Sequence, residues 1–245
     1  MAQYGFGSGA LWGINSGSNQ TPVRFGALQD CSVDFSSTIK ELFGSNQYAL
    51  SVARGTMKVS GKASVSQFDG RLYSDLFFGT SLSGGQILAI DSEPGSVPGT
   101  STYTITVVNS ATWTLDLGVT YAATGIPLTR VSSVAAIGQY SVAAGVYTFY
   151  SGDASAAVKL SYVYTTTGGD NITIANVPMG QANTFKTVLS LPYNSQKMTV
   201  TLNSCVSNKL SLTTALEDFT KQDFEFGCFV DSAGNVGTIS IAELS

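Results

Sequence analysis

Ser37 and Lys40 stand at the spacing of the Ser-x-x-Lys motif, in which a lysine beside a serine supports formation of an acyl-enzyme. The Ser-Asp-Asn and Lys-Thr-Gly elements that accompany this motif in such enzymes do not occur in the sequence. A pattern of two common residue types arises often without function. We therefore interpret this match as coincidence.

The acidic residues between positions 217 and 231 are a second candidate for chemistry. Lys221 is the only basic residue among them, and the carboxylates are Glu217, Asp218, Asp223, Glu225 and Asp231. A two-carboxylate hydrolase needs two such groups to converge across a cleft, and a calcium site needs oxygen ligands at closer spacing. We interpret the group as a solvated face that would repel the phosphates of DNA. A two-carboxylate hydrolase remains an alternative.

Histidine is absent from the chain. Its absence removes the commonest general base, the Ser-His and Cys-His nucleophile arrangements and the commonest metal ligand. The three cysteines, Cys31, Cys205 and Cys228, are an odd number without paired spacing and are interpreted as reduced core thiols. We predict that the protein is not an enzyme and that it binds neither a cofactor nor a metal ion.

The composition indicates self-association. Charged residues make up 11% of the chain and hydrophobic residues 43%, whereas about a quarter of a typical soluble protein is charged. The apolar runs, such as residues 131–146, are interrupted well short of the roughly 20 residues that span a membrane. The net charge of −4 gives no basic excess for gripping nucleic acid. We therefore expect a surface that other copies of the chain cover.

The first third of the sequence predicts two strands and a helix. Residues 28–36 and 57–65 alternate between apolar and polar side chains, as half-buried strands do. The connection between them, about residues 37–55, is longer than an ordinary hairpin loop, and such loops are usually functional or disordered. A helix begins at Asp69, which can cap it, and Gly79 ends it. A second short helix is predicted after Thr213 or Thr214, with Glu217 in a capping box.

Residues 80–170 predict strands and turns throughout, at the spacing of a sandwich or barrel. Tyrosines within these strands raise the possibility of sugar binding, although cross-strand packing explains them equally well. These residues are Tyr103, Tyr140, Tyr147, Tyr162 and Tyr164. A carbohydrate-binding β module therefore remains an alternative.

Residues 1–20 are glycine-rich and carry no charge. Such a segment cannot form a stable helix or pack a core alone. It is either a frayed terminus or an arm that orders against a neighbouring subunit. The arm would place four large side chains in that contact, namely Tyr4, Phe6, Leu11 and Trp12.

The order of elements resembles that of the tail tube (major tail) proteins of long-tailed bacteriophages. The first block of this resemblance is residues 30–79, which are predicted to form a strand, a long connection, a strand and a helix. The ending LTTALEDFTKQDFEFGCFVDSAGNVGTISI, residues 212–241, looks like that family's closing helix, strand, turn and strand. Residues 118–165 resemble β segments that recur in phage tail and head proteins.

The resemblance implies a mainly β, sandwich or barrel tail-tube-like fold with one packed helix and a second short helix near the C-terminus. Residues 1–20 would form an N-terminal arm. Residues 21–83 and 166–245 would form the tail-tube-like core. Residues 84–165 would be either a strand-rich insertion or additional core strands.

The resemblance also implies a function in the virion. Subunits of this family form rings, generally hexameric, that stack into a tube through which genomic DNA passes without sequence-specific binding. They are assembled in the host cytoplasm and contact other tail proteins, with no membrane involved. Residues 37–55 would reach the next ring, and the candidate contacts are Lys40, Glu41, Leu42, Phe43, Tyr48 and Arg54. A phage decoration or tail-terminator protein is the nearest alternative.

Overall fold

The computed structural model describes residues 7–17, 20–193, 196–217 and 219–241. The fold is mainly β, as predicted, and almost all strand pairs are antiparallel. The chain divides into two compact units. Unit 1 comprises Met1–Leu82 and Ile172–Ser245, and unit 2 comprises Ser83–Asn171.

The strands are, in chain order, β1 (Ala10–Asn15), β2 (Val23–Arg24), β3 (Leu28–Phe43), β4 (Ala49–Val65), β5 (Ser83–Ser96), β6 (Thr104–Thr106), β7 (Trp113–Tyr121), β8 (Thr129–Arg130), β9 (Gln139–Ala143), β10 (Val146–Phe149), β11 (Ala157–Asn171), β12 (Thr184–Tyr193), β13 (Gln196–Thr213), β14 (Lys221–Phe229) and β15 (Gly237–Ser240). A π-helix spans Leu72–Phe78, and 3-10 turns span Ser110–Thr112 and Ser151–Asp153.

Unit 1 is built on one sheet in the order β2-β1-β12-β13-β14-β4-β3, with β15 also paired to β13. The period-two alternation of β4 is confirmed near its end, where Val59, Ala63 and Val65 are buried. The predicted helix packs on the same face through the buried side chains of Leu72 and Leu76. Before this helix, Asp69 Oδ1 accepts a hydrogen bond from Arg71 N at 2.9 Å, and Gly79, at φ +65°, ends the helix.

The core of unit 1 is an aromatic cluster centred on Phe224. Its ring lies 5.4 Å from that of Phe25 and 5.9 Å from that of Phe185, in edge-to-face arrangements. The ring of Phe226, on the same strand, packs over Gly61 of β4. A Cβ atom at position 61 would overlap that ring, so the close approach of the two strands depends on glycine.

We expect Gly61→Ala to destabilise the protein by about 1–3 kcal/mol, because the added methyl group forces the Phe226 ring out of its place. Urea denaturation followed by circular dichroism measures the effect. Gly227→Ala is the matched control on the neighbouring strand, since no atom lies within 4 Å of its added Cβ. Equal stability of the two variants would contradict this packing.

Unit 2 has a three-stranded sheet, β5-β11-β7, and a four-stranded sheet, β6-β10-β9-β8. Side chains of both sheets share one core, which includes buried Tyr140, Tyr147 and Tyr162. The hydroxyls of Tyr140 and Tyr147 both donate to Asp116, at 2.7 and 3.0 Å. Residues 83–171 contribute no described strand to the sheet of unit 1.

A tyrosine in unit 2 predicts loss of stability at alkaline pH. Burial and a 2.5 Å hydrogen bond to Asp153 raise the pKa of Tyr121 to about 12, whereas an unfolded tyrosine titrates near pH 10. The folded-state pKa is the higher one, so this contribution is complete below about pH 10 and is lost between about pH 10 and 12. We expect thermal unfolding of Tyr121→Phe to depend less steeply on pH in that window. An unchanged pH profile would contradict this, and Tyr48→Phe, at an exposed tyrosine, is the control.

The structure corrects three predictions. The second short helix is not formed, because β13 continues to Thr213 and pairs there with Lys221 of β14. Only residues 214–220 remain for the turn, and those that are described are not helical. Residues 37–55 are not a loop either, because β3 and β4 stay paired as far as Phe43 and Ala49.

The third correction concerns the N-terminal arm. Residues 10–15 form β1 and pair with β12 of the same chain, so they are a strand of the unit 1 sheet. Leu11 is fully buried in the unit 1 core, where no neighbouring subunit could contact it. Trp12 is half-buried, with the Arg24 guanidinium 6.0 Å from its ring centre. Tyr4 and Phe6 lie outside the described residues.

Candidate assembly surface

Residues 36–58 form a two-stranded ribbon, which we call the distal hairpin. Strand β4 pairs with β14 only from Val59 to Val65. In residues 49–58, which precede Val59, the only partner of β4 among the described strands is β3. The ten β4 residues before Val59 extend the ribbon by about 30 Å at the usual rise of a strand. Residues 44–48 form the turn at its tip.

One face of the distal hairpin carries exposed apolar side chains together with Glu41 and Arg54, and we call it the apolar face. Ile39 lies opposite Arg54 and Glu41 lies opposite Val52, so these four side chains share a face. Alternation along β3 places Phe43 on this side as well, and Leu50 lies in β4 at the register shift that follows Leu42. The apolar members are 57% to 69% exposed, and they are Ile39, Phe43, Leu50 and Val52.

The other face of the distal hairpin is more polar. Lys40 lies opposite Ala53, and Leu42, which is also exposed, lies opposite Ser51. Nearer the sheet, the hydroxyls of Thr38 and Thr56 are 3.2 Å apart across the ribbon. The ribbon therefore exposes large apolar side chains among polar ones along most of its length.

The exposure of this ribbon is energetically unfavourable in an isolated chain. A lone two-stranded hairpin is marginally stable in water. Burying a Val, Leu, Ile or Phe side chain contributes about 1.5–3 kcal/mol. Four such residues on the ribbon therefore offer several kcal/mol to a protein surface that covers them.

The outer edge of β3 is a second open surface. Strand β3 ends the unit 1 sheet, and among the described residues no strand pairs with its outer edge. The opposite end of the sheet is the short strand β2. Unpaired edges are hazardous for a monomer but can join the sheet of a neighbour. Because the two ends differ, such a joint would be heterologous, as closed rings require.

All six residues predicted to contact a neighbouring ring lie on the distal hairpin, and all are exposed. They are Lys40, Glu41, Leu42, Phe43, Tyr48 and Arg54. Tyr48, at the tip, is 84% exposed. Sequence reasoning missed Ile39, Leu50 and Val52, although their alternation with polar residues could have identified them. Two register shifts in the ribbon interrupt that alternation.

The structure does not bring the other candidate groups together. Ser37 and Lys40 lie on an extended strand, where residues three apart are separated by about 10 Å. Among the acids, Asp223 accepts hydrogen bonds from Ser64 and Lys62, which lower its pKa. Glu225 pairs with Lys209 at 3.0 Å.

The remaining acids have no shared site. Asp231 accepts from the backbone N–H groups of Ala233 and Asn235, both at 2.9 Å, which holds a turn and lowers its pKa. Glu217 is exposed, and Asp218 lies outside the described residues. Across the described part of the chain, no three His, Cys, Asp or Glu side chains converge as a metal site requires.

The three cysteines are free thiols. Cys205 and Cys228 face each other across β13 and β14 with their sulfur atoms 2.9 Å apart. Burial raises the pKa of Cys31 to about 11, which keeps that thiol protonated at neutral pH.

Comparison with models of known protein families gives no match, and comparison with curated proteins gives none either. Within the described ranges, no helix is long and apolar enough to cross a membrane. The features of the chain that invite a functional interpretation are therefore the distal hairpin and the open edge of β3.

Proposed function

We propose that this chain is a structural subunit of a bacteriophage tail tube, which assembles with copies of itself into stacked rings. The observation that carries this proposal is the distal hairpin, a ribbon that exposes the large apolar side chains of Ile39, Phe43, Leu50 and Val52. A surface of this kind has no catalytic use and favours burial against another protein. The resemblance described above supplies the class of assembly.

Ring formation would use the edges of the sheet and stacking would use the distal hairpin. The edge of β3 would extend the sheet of a neighbouring subunit, and repetition around an axis would close the ring. The family resemblance implies six subunits per ring. Obligate interfaces of this kind bury roughly 2,000–5,000 Å² and are apolar, in keeping with a chain that is only 11% charged.

The outward, polar face of the unit 1 sheet suits a channel for DNA. Lys62 is paired with Asp223 at 2.9 Å, and Lys209 is paired with Glu225 at 3.0 Å. Lysines held by carboxylates release few counterions from DNA, so the duplex is not gripped. The net charge of −4 acts in the same direction. In this proposal the protein resides in the virion tail and is not an enzyme.

The alternative of a carbohydrate-binding module has lost its candidate residues. Tyr140, Tyr147 and Tyr162 are buried in the unit 2 core, and Tyr103 and Tyr164 pack against it. Sugar recognition by stacking needs aromatic faces that a ligand can reach, which the three buried rings do not supply and which Tyr103 and Tyr164, half-buried, offer only in part.

Electron microscopy of the purified protein, concentrated in a series, tests the proposed function. We expect hollow tubes of stacked rings, and antibody labelling of virions along the tail. A persistent monomer at every concentration would contradict the proposal. Single rings that never stack would favour a tail terminator, and binding only to preformed heads or tubes would favour a decoration protein.

A further inference from the structure

Two of the three cysteines lie directly opposite each other in the unit 1 sheet. Cys205 of β13 and Cys228 of β14 are a register pair, and their sulfur atoms are 2.9 Å apart. Residues directly opposite on antiparallel strands have Cα atoms about 4.5–5.5 Å apart, and a disulfide bond accepts a Cα separation of about 4.4–6.8 Å. The backbone therefore need not move for a bond to form between these two sulfur atoms.

The two thiols differ in their access to solvent. Cys205 is fully buried in the unit 1 core, whereas Cys228 is only half-buried, so a small reagent in solution reaches Cys228 first. The Thr187 hydroxyl donates a hydrogen bond to the Cys205 sulfur at 3.4 Å, and such a bond stabilises a thiolate. The pair therefore combines an accessible thiol with a buried one that has a hydrogen-bond donor beside it.

Cys31 is too far away to react with either partner. It lies opposite Ala63 of β4, whereas Cys228 lies opposite Val59. Ala63 and Val59 are four residues apart, which is about 13 Å along a strand, and the Cα atoms joined by a disulfide lie at most about 7 Å apart. The remaining pair within one chain is therefore Cys205 and Cys228.

We propose that Cys205 and Cys228 form a reversible disulfide bond when the folded chain meets a small disulfide such as glutathione disulfide. This inference is independent of the proposed function. In the first step the Cys228 thiolate attacks one sulfur of the reagent, whose S–S bond breaks and releases a thiolate. In the second step the Cys205 thiolate attacks the Cys228 sulfur of the mixed disulfide and releases the other half of the reagent.

The electrons and protons of this exchange balance. The two protons of the protein thiols pass through solvent to the two released thiolates. The protein is oxidised by two electrons, and the reagent is reduced to two thiols. An excess of a dithiol such as dithiothreitol reverses both steps.

The bond would join two neighbouring strands at the centre of the unit 1 sheet. Strand β14 lies between β13 and β4, so it connects the strands that precede unit 2 in the chain with those that follow it. A disulfide stabilises a fold chiefly by restricting the unfolded chain. Oxidation therefore stabilises unit 1 at the strand that joins its two chain segments, and reduction reverses this effect.

Peptide mapping of the oxidised chain tests for the bond. The folded full-length protein is reduced, freed of reductant and incubated with glutathione disulfide at about pH 8, close to the ordinary thiol pKa. After removal of the reagent, the remaining thiols are alkylated in denaturant. Trypsin cleaves after Lys209 and Lys221, which separates the two cysteines into the peptides 198–209 and 222–245. We expect these two peptides to be linked and Cys31 to be alkylated.

Two outcomes of the mapping would overturn the proposal. One is alkylation of both Cys205 and Cys228 after incubation with glutathione disulfide. The other is linkage of either residue to Cys31 or to a second chain, which a gel without reductant separates from the single chain. Cys31→Ser is the matched control, and it should form the disulfide as the unaltered chain does.

Single substitutions test the order of the two steps. In Cys205→Ser the second step is impossible, so we expect Cys228 to retain one glutathione in the peptide 222–245. In Cys228→Ser we expect glutathione to add to Cys205 more slowly by a factor of roughly ten or more, because that thiol is buried. Circular dichroism establishes that each variant is folded. Equal rates of addition in the two variants would overturn the role of Cys228 as the first thiol to react.

Thermal unfolding measures the effect of the bond on stability. We expect oxidation to raise the melting temperature of unit 1 by about 5 °C or more, and dithiothreitol to reverse the rise. Cys205→Ser, which cannot form the bond, should show no such rise. An unchanged melting temperature in chains that carry the mapped bond would overturn its stabilising role.

Discussion

Replacement of Phe43 and Val52 by serine is expected to prevent rings from stacking while the subunit stays folded. Both side chains lie on the apolar face of the distal hairpin, at 57% and 61% exposure. If a neighbouring ring covers them, each contributes about 1.5–3 kcal/mol to the contact. Loss of about 3 kcal/mol in total raises the protein concentration needed for stacking about a hundredfold. Light scattering and electron microscopy across a dilution series measure that concentration.

Two comparisons make this result specific. Val108→Ser combined with Ile126→Ser removes two exposed apolar residues, at 84% and 59% exposure, from unit 2, and we expect tubes of that variant to form normally. Thermal unfolding should be the same for both double variants, because all four side chains are exposed in the subunit. Normal stacking of the Phe43 and Val52 variant would rule out the distal hairpin as the contact.

Phe224→Ala is expected to cause the largest loss of folding stability, about 3–5 kcal/mol. The ring is fully buried and meets the rings of Phe25 and Phe185 at 5.4 and 5.9 Å. Truncation leaves a cavity that the surrounding strands cannot close, because β14 lies between β13 and β4 in the sheet. Urea unfolding of the unaltered chain and of Phe224→Ala gives the difference in the free energy of unfolding.

The two tryptophans allow this effect to be assigned to one unit. Trp12 lies in unit 1 and Trp113 in unit 2, so a Trp113→Phe background leaves fluorescence that reports on unit 1. In that background we expect Phe224→Ala to shift the transition strongly. Phe68→Ala, at a 54% exposed phenylalanine, should change stability by less than about 0.5 kcal/mol. Similar losses for both variants would show that the aromatic cluster does not hold unit 1 together.

The features that could be predicted from the sequence are those with strong local signals. The alternation near the end of β4 and the capping pair Asp69 and Gly79 each specify their own element without reference to the rest of the chain. The local pattern of residues was sufficient to predict these elements because each packs one of its faces on a single core.

The predictions failed where a distant segment decides the structure. Thr213 and Glu217 form a plausible capping pattern, but pairing of β13 with β14 uses Thr213 as a strand residue. Leu11 stands in a glycine-rich segment that looks unstructured, yet it is buried because β12, far along the chain, pairs with it.

The division of unit 1 into two chain segments determines when each part can fold during synthesis. Strands β1 to β4 precede unit 2 in the chain, and their partners β12 and β14 follow it. On the ribosome, unit 2 can complete its sheets once β11 has emerged, whereas the sheet of unit 1 must wait for β14. Contacts across such long sequence separations form slowly. The order of synthesis therefore delays completion of the sheet that would join a neighbour until unit 2 and β14 have both been made.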